Sequence, residues 1–395
     1  MRFLLDGTTG LLGRNLLFEI LKYNLNCLDE IEIIILGKES GGVCLECRMD
    51  DIILNDGFDY LNIEKNLDYF SHIKSRIKFI EFDLTKPCLG LNPDDIQILR
   101  KEKIDFFFHI AALLNFNDTH ELTKKLYLIN FKSNITLINL SIELGIKEFI
   151  YVSTAYSAGS TQIEINPDFI NRTGFFRNPY EKFKLETELY LLDIAKRENI
   201  NYKIFRPTTI SGRLIEKEIG SINKFDVFYE WARWIMKYKM KILKNSNDAY
   251  NQPLGLTFRI TMHAESGMNI IPADYAAKLL YYSSLDNLNE KNFHLVNDYD
   301  IPTNLAAKLI LDTLNIQGYC FVEKEPEEKN KFEQFYYRTV GKIFTPYVID
   351  PPLHYNNDNL KEIKKNYNLT CPEMNEGNFQ KLLDYAKKHN FGIAE

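Results

Sequence analysis

A phenol and an amine four positions apart, in Tyr180-Glu181-Lys182-Phe183-Lys184, form the pair in this chain best suited to moving a proton. One helical turn separates them, so both side chains leave the same face of a helix. Tyrosine titrates near ~10, too high for ready exchange at neutral pH unless a nearby cation favours the phenolate. Lys184 is such a cation. Alone the pair is weak evidence, because the chain has 23 tyrosines and an exposed helix often carries both residue types.

A second constellation lies at the amino terminus. The apolar run Arg2 to Leu5 leads into Asp6-Gly7-Thr8-Thr9-Gly10-Leu11-Leu12-Gly13-Arg14, after which Leu16, Leu17, Ile20 and Leu21 recur at helical spacing. Strand, glycine turn and helix is the context in which backbone amides along Thr9, Gly10, Leu11 and Leu12 hold a pyrophosphate. Gly7, Gly10 and Gly13 let it approach closely. The next apolar run, Ile31 to Leu36, ends in Gly37-Lys38. A base there suits the 2′-phosphate of NADP(H), with Arg14 as a helper, while the neighbouring Glu39 keeps NAD(H) possible.

These residues need a scaffold. Further apolar runs at Ile77 to Phe82, Phe106 to Ile110, Glu148 to Val152 and Tyr202 to Phe205 alternate with helical periodicity, notably around Lys125 to Leu144 and Tyr180 to Ala195. Such alternation predicts an α/β fold, a Rossmann-type doubly wound parallel sheet covered on both faces. After Gly212 the pattern changes to a smaller, mostly helical C-terminal substrate lobe. Residues 1–212 are expected to form the dinucleotide-binding domain, with 269–300 returning to it, and 213–268 and 301–395 the lobe. In the lobe, Phe225 to Leu243 reads as a helix apolar around most of its surface, fit for a core or for lining a greasy pocket. Asn245 to Gly255 reads as a polar loop, Asn292 to Val296 as a late strand, and Val322 to Gln334 as a charged surface segment.

Length, 395 residues, allows one large domain with an accessory lobe, and 45% hydrophobic with 26% charged residues is ordinary for a globular protein. A net charge of −6 removes any global argument for nucleic-acid binding. No apolar run approaches the roughly 18–20 residues that span a bilayer, and no signal-peptide pattern opens the chain, so a cytoplasmic protein without a membrane span is expected. The cysteines are scattered apart from Cys44-Leu45-Glu46-Cys47, which without a second pair predicts two half-buried helix residues and no metal site.

The Gly-x-x-Gly-x-x-Gly spacing and Tyr180-x-x-x-Lys184 together resemble the extended short-chain dehydrogenase/reductase superfamily. Within it, Phe82-Asp83-Leu84-Thr85 and His109-Ile110-Ala111-Ala112-Leu113-Leu114-Asn115-Phe116 resemble the thioester reductase and fatty acyl-CoA reductase (male-sterility-type) branch. Tyr151-Val152-Ser153-Thr154-Ala155, Phe205-Arg206-Pro207-Thr208 and Asn269-Ile270-Ile271-Pro272-Ala273-Asp274 follow in that branch's order, over about the first 300 residues. The resemblance implies a catalytic Thr154, Tyr180, Lys184 and Asn130, the last on the helix that follows the fourth strand. It implies that Asp83 and Leu84 meet the adenine, that Ala111 and Ala112 let the cofactor reach the sheet edge, and that Pro207 passes under the nicotinamide. Ser153 is expected to face away from Thr154 by strand alternation, and His109 to be a packed strand residue. Two residues depart from the pattern: Asp6 stands where a threonine is common, and Phe183, where a small residue is common, could narrow the site.

The implied reaction is NADPH-dependent reduction of an acyl thioester, on coenzyme A or an acyl carrier protein, to aldehyde or alcohol. Lys184 is expected both to bind the nicotinamide ribose and to lower the Tyr180 pKa. A sugar-nucleotide epimerase or dehydratase, or another NAD(P)-dependent alcohol dehydrogenase, is the alternative on the same scaffold. Thr154 followed by Ala155-Tyr156 departs from the Asp-Glu usual in dehydratases. Monomer and homodimer both remain open.

Overall fold

The computed structural model describes residues 1–393 apart from 160–163, 173, 245–248 and 287, so the loop expected from Asn245 lies partly outside the described residues. Seven parallel strands form the central sheet: β1 Arg2–Asp6, β2 Glu32–Gly37, β3 Ile77–Glu81, β4 Phe106–His109, β5 Glu148–Val152, β6 Tyr202–Pro207 and β7 Asn292–Leu295. Their order across the sheet is β7-β6-β5-β4-β1-β2-β3. Strands buried on both faces read as continuous apolar runs. Accordingly Phe3, Leu4 and Leu5 in β1 and Ile33 to Leu36 in β2 are almost fully buried.

Each face has its own helical layer. The helix α1, Leu11–Tyr23, and the helix Ala273–Leu285 cover one side, packing Leu16, Leu17, Ile20, Tyr275, Leu279 and Leu280 against Phe3, Leu5 and Ile35. On the other, Leu137, Ile138, Leu191 and Ile194 meet Leu4, Ile34, Phe107 and Ile204. The chain reverses direction across the sheet between β1 and β4, which opens a crevice at their carboxyl ends, the usual ligand position in such folds.

Beyond β6 a second core forms. A strand over Leu254–Thr261 pairs in parallel with Ile316–Val322, and helices Phe228–Leu243, Thr303–Thr313, Lys331–Arg338 and Glu376–Lys388 close around them through Ile235, Phe258, Ile310, Phe332, Phe379 and Leu383.

Element ends depart from the sequence reading for local reasons. The helix expected from Lys125 begins at His120, where Thr119 accepts the Leu122 N–H as its cap, and it contains a wide turn over Leu128–Lys132. The aromatic helix starts at Phe228 rather than Phe225 because Val227 adopts φ 54°, outside helical space. The segment expected to be charged surface contains the helix Lys331–Arg338. Asn330 and Glu333 form a capping box there, and Phe332, Glu333 and Tyr336 are buried. Glu333 tolerates burial because Arg259 pairs with it at 2.7 Å.

Candidate active site

The turn after β1 is built by steric exclusion. Gly7 has φ 68°, and a Cβ there would lie 2.9 Å from the Ala111 nitrogen, while one at Gly13 would lie 2.3 Å from the Gly7 carbonyl oxygen. Gly10 donates its N–H to that oxygen at 2.9 Å and caps α1 with no side-chain bond. The first-turn amides of α1 are therefore presented to an anion, and a pyrophosphate fits the cradle that side chains would fill.

Asp6 explains how the crevice holds its shape. Its buried carboxylate accepts N–H groups from Ile110 at 2.6 Å and Ala111 at 2.7 Å, and His109 Nδ1 lies 2.5 Å away. His109 Nε2 is 3.0 Å from Asn134 Oδ1. The departure from threonine thus ties the end of β1 to the end of β4, setting Ala111 beneath Gly7, and His109 is a packed strand residue.

At the ribose end of the crevice, Lys38 Nζ is 3.3 Å from both Asp83 oxygens. Burial acts to raise the Asp83 carboxyl, but bonds from Thr85 and Lys38 carry it below its ordinary range. Arg14 instead braces the turn, donating to the Thr9 carbonyl at 3.1 Å and pairing with Asp56 at 3.3 Å. Arg48, which sequence reasoning missed, donates to the Lys38 carbonyl at 3.1 Å and adds a second cation there. The Leu84 side chain is buried in the core, its carbonyl accepting the Ser133 hydroxyl, and Ala112 is exposed beyond β4.

Tyr180 opens the helix Pro179–Glu198, where Asn178 caps by accepting the Glu181 N–H at 3.1 Å and Pro179 takes a position needing no amide. Its ring stands edge-on to Phe116, centroids 5.8 Å apart. Burial and the Glu181 charge push the phenol above its ordinary value, opposed by the nearby Thr154 hydroxyl. Lys184 is fully buried. Its ammonium donates to the Val152 carbonyl at 2.7 Å and lies 4.3 Å over the Tyr151 ring, and it is not among the groups that shift the phenol, which burial and Glu181 raise rather than lower. Burial brings this lysine down to about 7, against the pull of Glu188 and Asp6.

Asn130 sits in the wide turn and clamps the segment after β4. Its side chain accepts the Leu113 N–H and donates to the Leu113 carbonyl, both at 2.8 Å, while its own carbonyl accepts the Thr187 hydroxyl at 2.7 Å. Phe183 packs with Tyr180 and Leu126 and is absent from the cavity wall, so it supports the tyrosine instead of narrowing the site.

All this surrounds a cavity of about 420 Å³. It begins at Gly10 and Leu11, passes Ser153, Thr154, Tyr180 and Pro207, and continues into the lobe along Phe228, Trp231, Ile260, Met262 and Ile310. Ser153 and Thr154 both line it, contrary to the alternation argument, because β5 ends at Val152 and the chain turns into a short helix over Ala155–Ala158. Two further contributors escaped the sequence reading. Tyr347 donates its O–H to Glu181 at 2.8 Å, and Arg177 lies 4.9 Å from the centroid of the Tyr347 ring. No sequence pattern links residues so far apart.

The model of the family described as male sterility protein matches residues 5–280. The chain belongs to the male sterility protein family. Among similar proteins, a linear gramicidin synthase of Brevibacillus parabrevis is 23% identical over 97% of this chain and 7% of its own length. Fatty acyl-CoA reductase 1 of Gallus gallus is 32% identical over 39% of this chain and 28% of its own length. The chain thus spans under a third of either relative. A solved terminal R domain from the myxalamid PKS-NRPS pathway superposes with a TM-score of 0.72 at 18% identity, covering 99% of this chain and 91% of that one. UDP-glucuronic acid 4-epimerase from Bacillus cereus, in complex with NAD, gives 0.60 at 12%, covering 99% and 100%. Both share the Rossmann-type fold of this chain.

Within this male sterility family chain, no described helix is long and apolar enough to cross a membrane, and no described group of three or more His, Cys, Asp or Glu side chains could hold a metal ion. Cys44 and Cys47 are exposed rather than half-buried: Cys44 caps the helix Leu45–Ile52 by accepting the Cys47 N–H at 3.1 Å, and a capping residue lies at the surface end of its helix.

Proposed function

We propose that this chain is an NADPH-dependent reductase of acyl thioesters, delivered on coenzyme A or an acyl carrier protein. The observation that carries the proposal is the continuity of the cavity: one end lies at the α1 amino terminus, the hydroxyls of Thr154 and Tyr180 stand in its middle, and the far end is an apolar lobe. The relatives support it, since one is a fatty acyl-CoA reductase and another solved neighbour is a thiolation-reductase di-domain from an archaeal non-ribosomal peptide synthetase. Lys38 and Arg48 at the end of β2 supply the positive charge that a 2′-phosphate needs, which favours NADPH over NADH.

The dinucleotide, when bound, supplies a hydride to the thioester carbonyl carbon. Thr154 and Tyr180 hold the carbonyl oxygen, and Tyr180, whose raised pKa keeps it protonated, donates the proton as negative charge develops. Lys184, one helical turn from Tyr180 and held on the Val152 carbonyl, is the residue that binds the nicotinamide ribose. Asn130 is a positioning residue, fixing the Leu113 segment against the Tyr180 helix. Asp83 and Leu84 meet the adenine, Ala111 and Ala112 let the cofactor reach the sheet edge, and Pro207 passes under the nicotinamide.

A sugar-nucleotide substrate is less well served, because the far wall is mostly apolar, with Met262, Ile310 and Trp231 around a few polar groups such as Asp300 and Thr303. NADPH oxidation, measured with acyl-coenzyme A esters, carrier-bound thioesters and nucleotide sugars, decides between them. Turnover of thioesters alone is expected. Turnover of nucleotide sugars alone would overturn the proposal.

A further inference from the structure

Beyond Tyr180 the cavity wall is largely apolar, and the carboxylates of Asp226, Asp300 and Asp350 interrupt it, Asp226 pairing with Lys224 at 2.7 Å. Asp300 lies in that wall, immediately before the strand Ile301–Pro302. Its Oδ1 accepts an N–H from Asn269 at 2.6 Å. Asn269 is itself fixed by the Thr208 hydroxyl at 2.6 Å and by the Asn297 backbone N–H at 3.0 Å. Among the described residues, the other Asp300 oxygen has no hydrogen-bond partner, and no lysine or arginine pairs with the carboxylate. Close by in sequence and in the same wall, Thr303 is only 4% exposed, and its hydroxyl is buried without a partner.

An isolated carboxylate on an apolar wall is costly unless a cation meets it. Burial already pushes the Asp300 carboxyl up, with Asn269 and the more distant His354 opposing. A neutral donor would satisfy the free oxygen but leave the charge uncompensated, whereas an ammonium carries both a positive charge and three N–H donors. Two of those donors suit the buried, unpartnered Thr303 Oγ1 and the Oδ2 of the partly buried Asp300, and apolar residues such as Met262 and Ile310 suit the methylenes that carry the amine.

We propose that Asp300 and Thr303 form a subsite for a protonated amine on the acyl group, making the substrate class amine-bearing acyl thioesters. This deepens the thioester reading and rests on it for the identity of the substrate. If Asp300 merely anchored Asn269, replacing it would affect all substrates alike.

The test has two arms on the full chain. In the first, quenching of tryptophan fluorescence reports binding of octylammonium against 1-octanol, since Trp231 lines the cavity. The amine is expected to bind about 10- to 100-fold more tightly, the range of a charge-assisted hydrogen bond, and that preference is expected to vanish in Asp300→Asn and to shrink in Thr303→Val. In the second, kcat/KM is compared for ω-aminoacyl-coenzyme A esters and straight-chain esters of equal length, with the same loss of ratio expected in the two variants. Equal binding of amine and alcohol by the unaltered protein, or a ratio untouched by both substitutions, overturns the subsite. Preferential amine binding without reduction of any thioester leaves the subsite standing and overturns the reductase reading instead.

Discussion

Tyr180 is held protonated by burial and by Glu181, with the Thr154 hydroxyl opposing them. Tyr180→Phe should therefore keep dinucleotide affinity and lose about 10²- to 10⁴-fold in kcat, the range for a general acid. Stopped-flow binding beside steady-state rates checks this, and full turnover by the variant would remove the tyrosine from the mechanism. Lys184 makes a sharper prediction. It titrates at about 7 in the folded chain and near ~10.4 unfolded. Between those values the unfolded chain holds the extra proton, so raising pH stabilises the native state, by ~1.4 kcal/mol per unit at most. Below 7 the cost of the buried ammonium is fully present. Lys184→Met, freed of that cost, should gain most over the native sequence at about pH 6 and lose the advantage steadily toward about pH 9. A thermal-denaturation difference independent of pH would show that the amine is not buried as charged.

Element ends carry the next layer of constraint. At the turn between β1 and α1, Gly13→Ala forces a methyl to within 2.3 Å of the Gly7 carbonyl. The turn must open, and dinucleotide binding measured by calorimetry should fall at least about 10-fold, with some loss of stability. Retained affinity would mean that the cradle is not where the pyrophosphate sits. On β7, His294 is buried with Nδ1 at 2.8 Å from the Asn356 carbonyl, and burial holds its imidazole down at about 4. Its unfolded value is ~6.5, so the unfolded chain binds more protons between those limits. Stability should be intact above 6.5 and decline as pH falls toward 4, by up to ~1.4 kcal/mol per unit. Urea titrations of His294→Gln across that window should show a flatter profile. An unchanged slope would assign the acid sensitivity to other groups.

At the scale of the whole molecule, the sheet and the lobe share one cavity, so substrate length becomes a property of the lobe rather than of the catalytic groups. Ile310, 2% exposed, lies in the far wall. Ile310→Trp would fill space equivalent to about three methylenes, each worth ~0.8 kcal/mol, so kcat/KM for long acyl chains should fall roughly 50-fold while short ones are spared. A uniform loss across chain lengths, with unchanged melting temperature, would place the acyl group elsewhere. Buried ties hold the two regions together: Arg213 pairs with Asp56 at 2.8 Å and donates to Asn15 at 2.7 Å.

The sequence by itself determined the sheet and the nucleotide turn, because both are written in local patterns. Apolar runs give strands, glycines permit a turn no side chain allows, and helical periodicity over Tyr180 to Ala195 gives the helix that presents Tyr180. It also identified the family, since ordered motifs over most of the chain constrain more than any single one. Tertiary structure decided the rest. Asp6 as the tie between β1 and β4, the turning of Lys184 toward Val152, Ser153 on the cavity wall, Tyr347 against Glu181, and Asp300 facing apolar residues all depend on contacts between segments distant in the chain. Burial shifts the titration of Lys184, Tyr347 and Asp300, and burial is a property of packed neighbours that linear spacing does not encode.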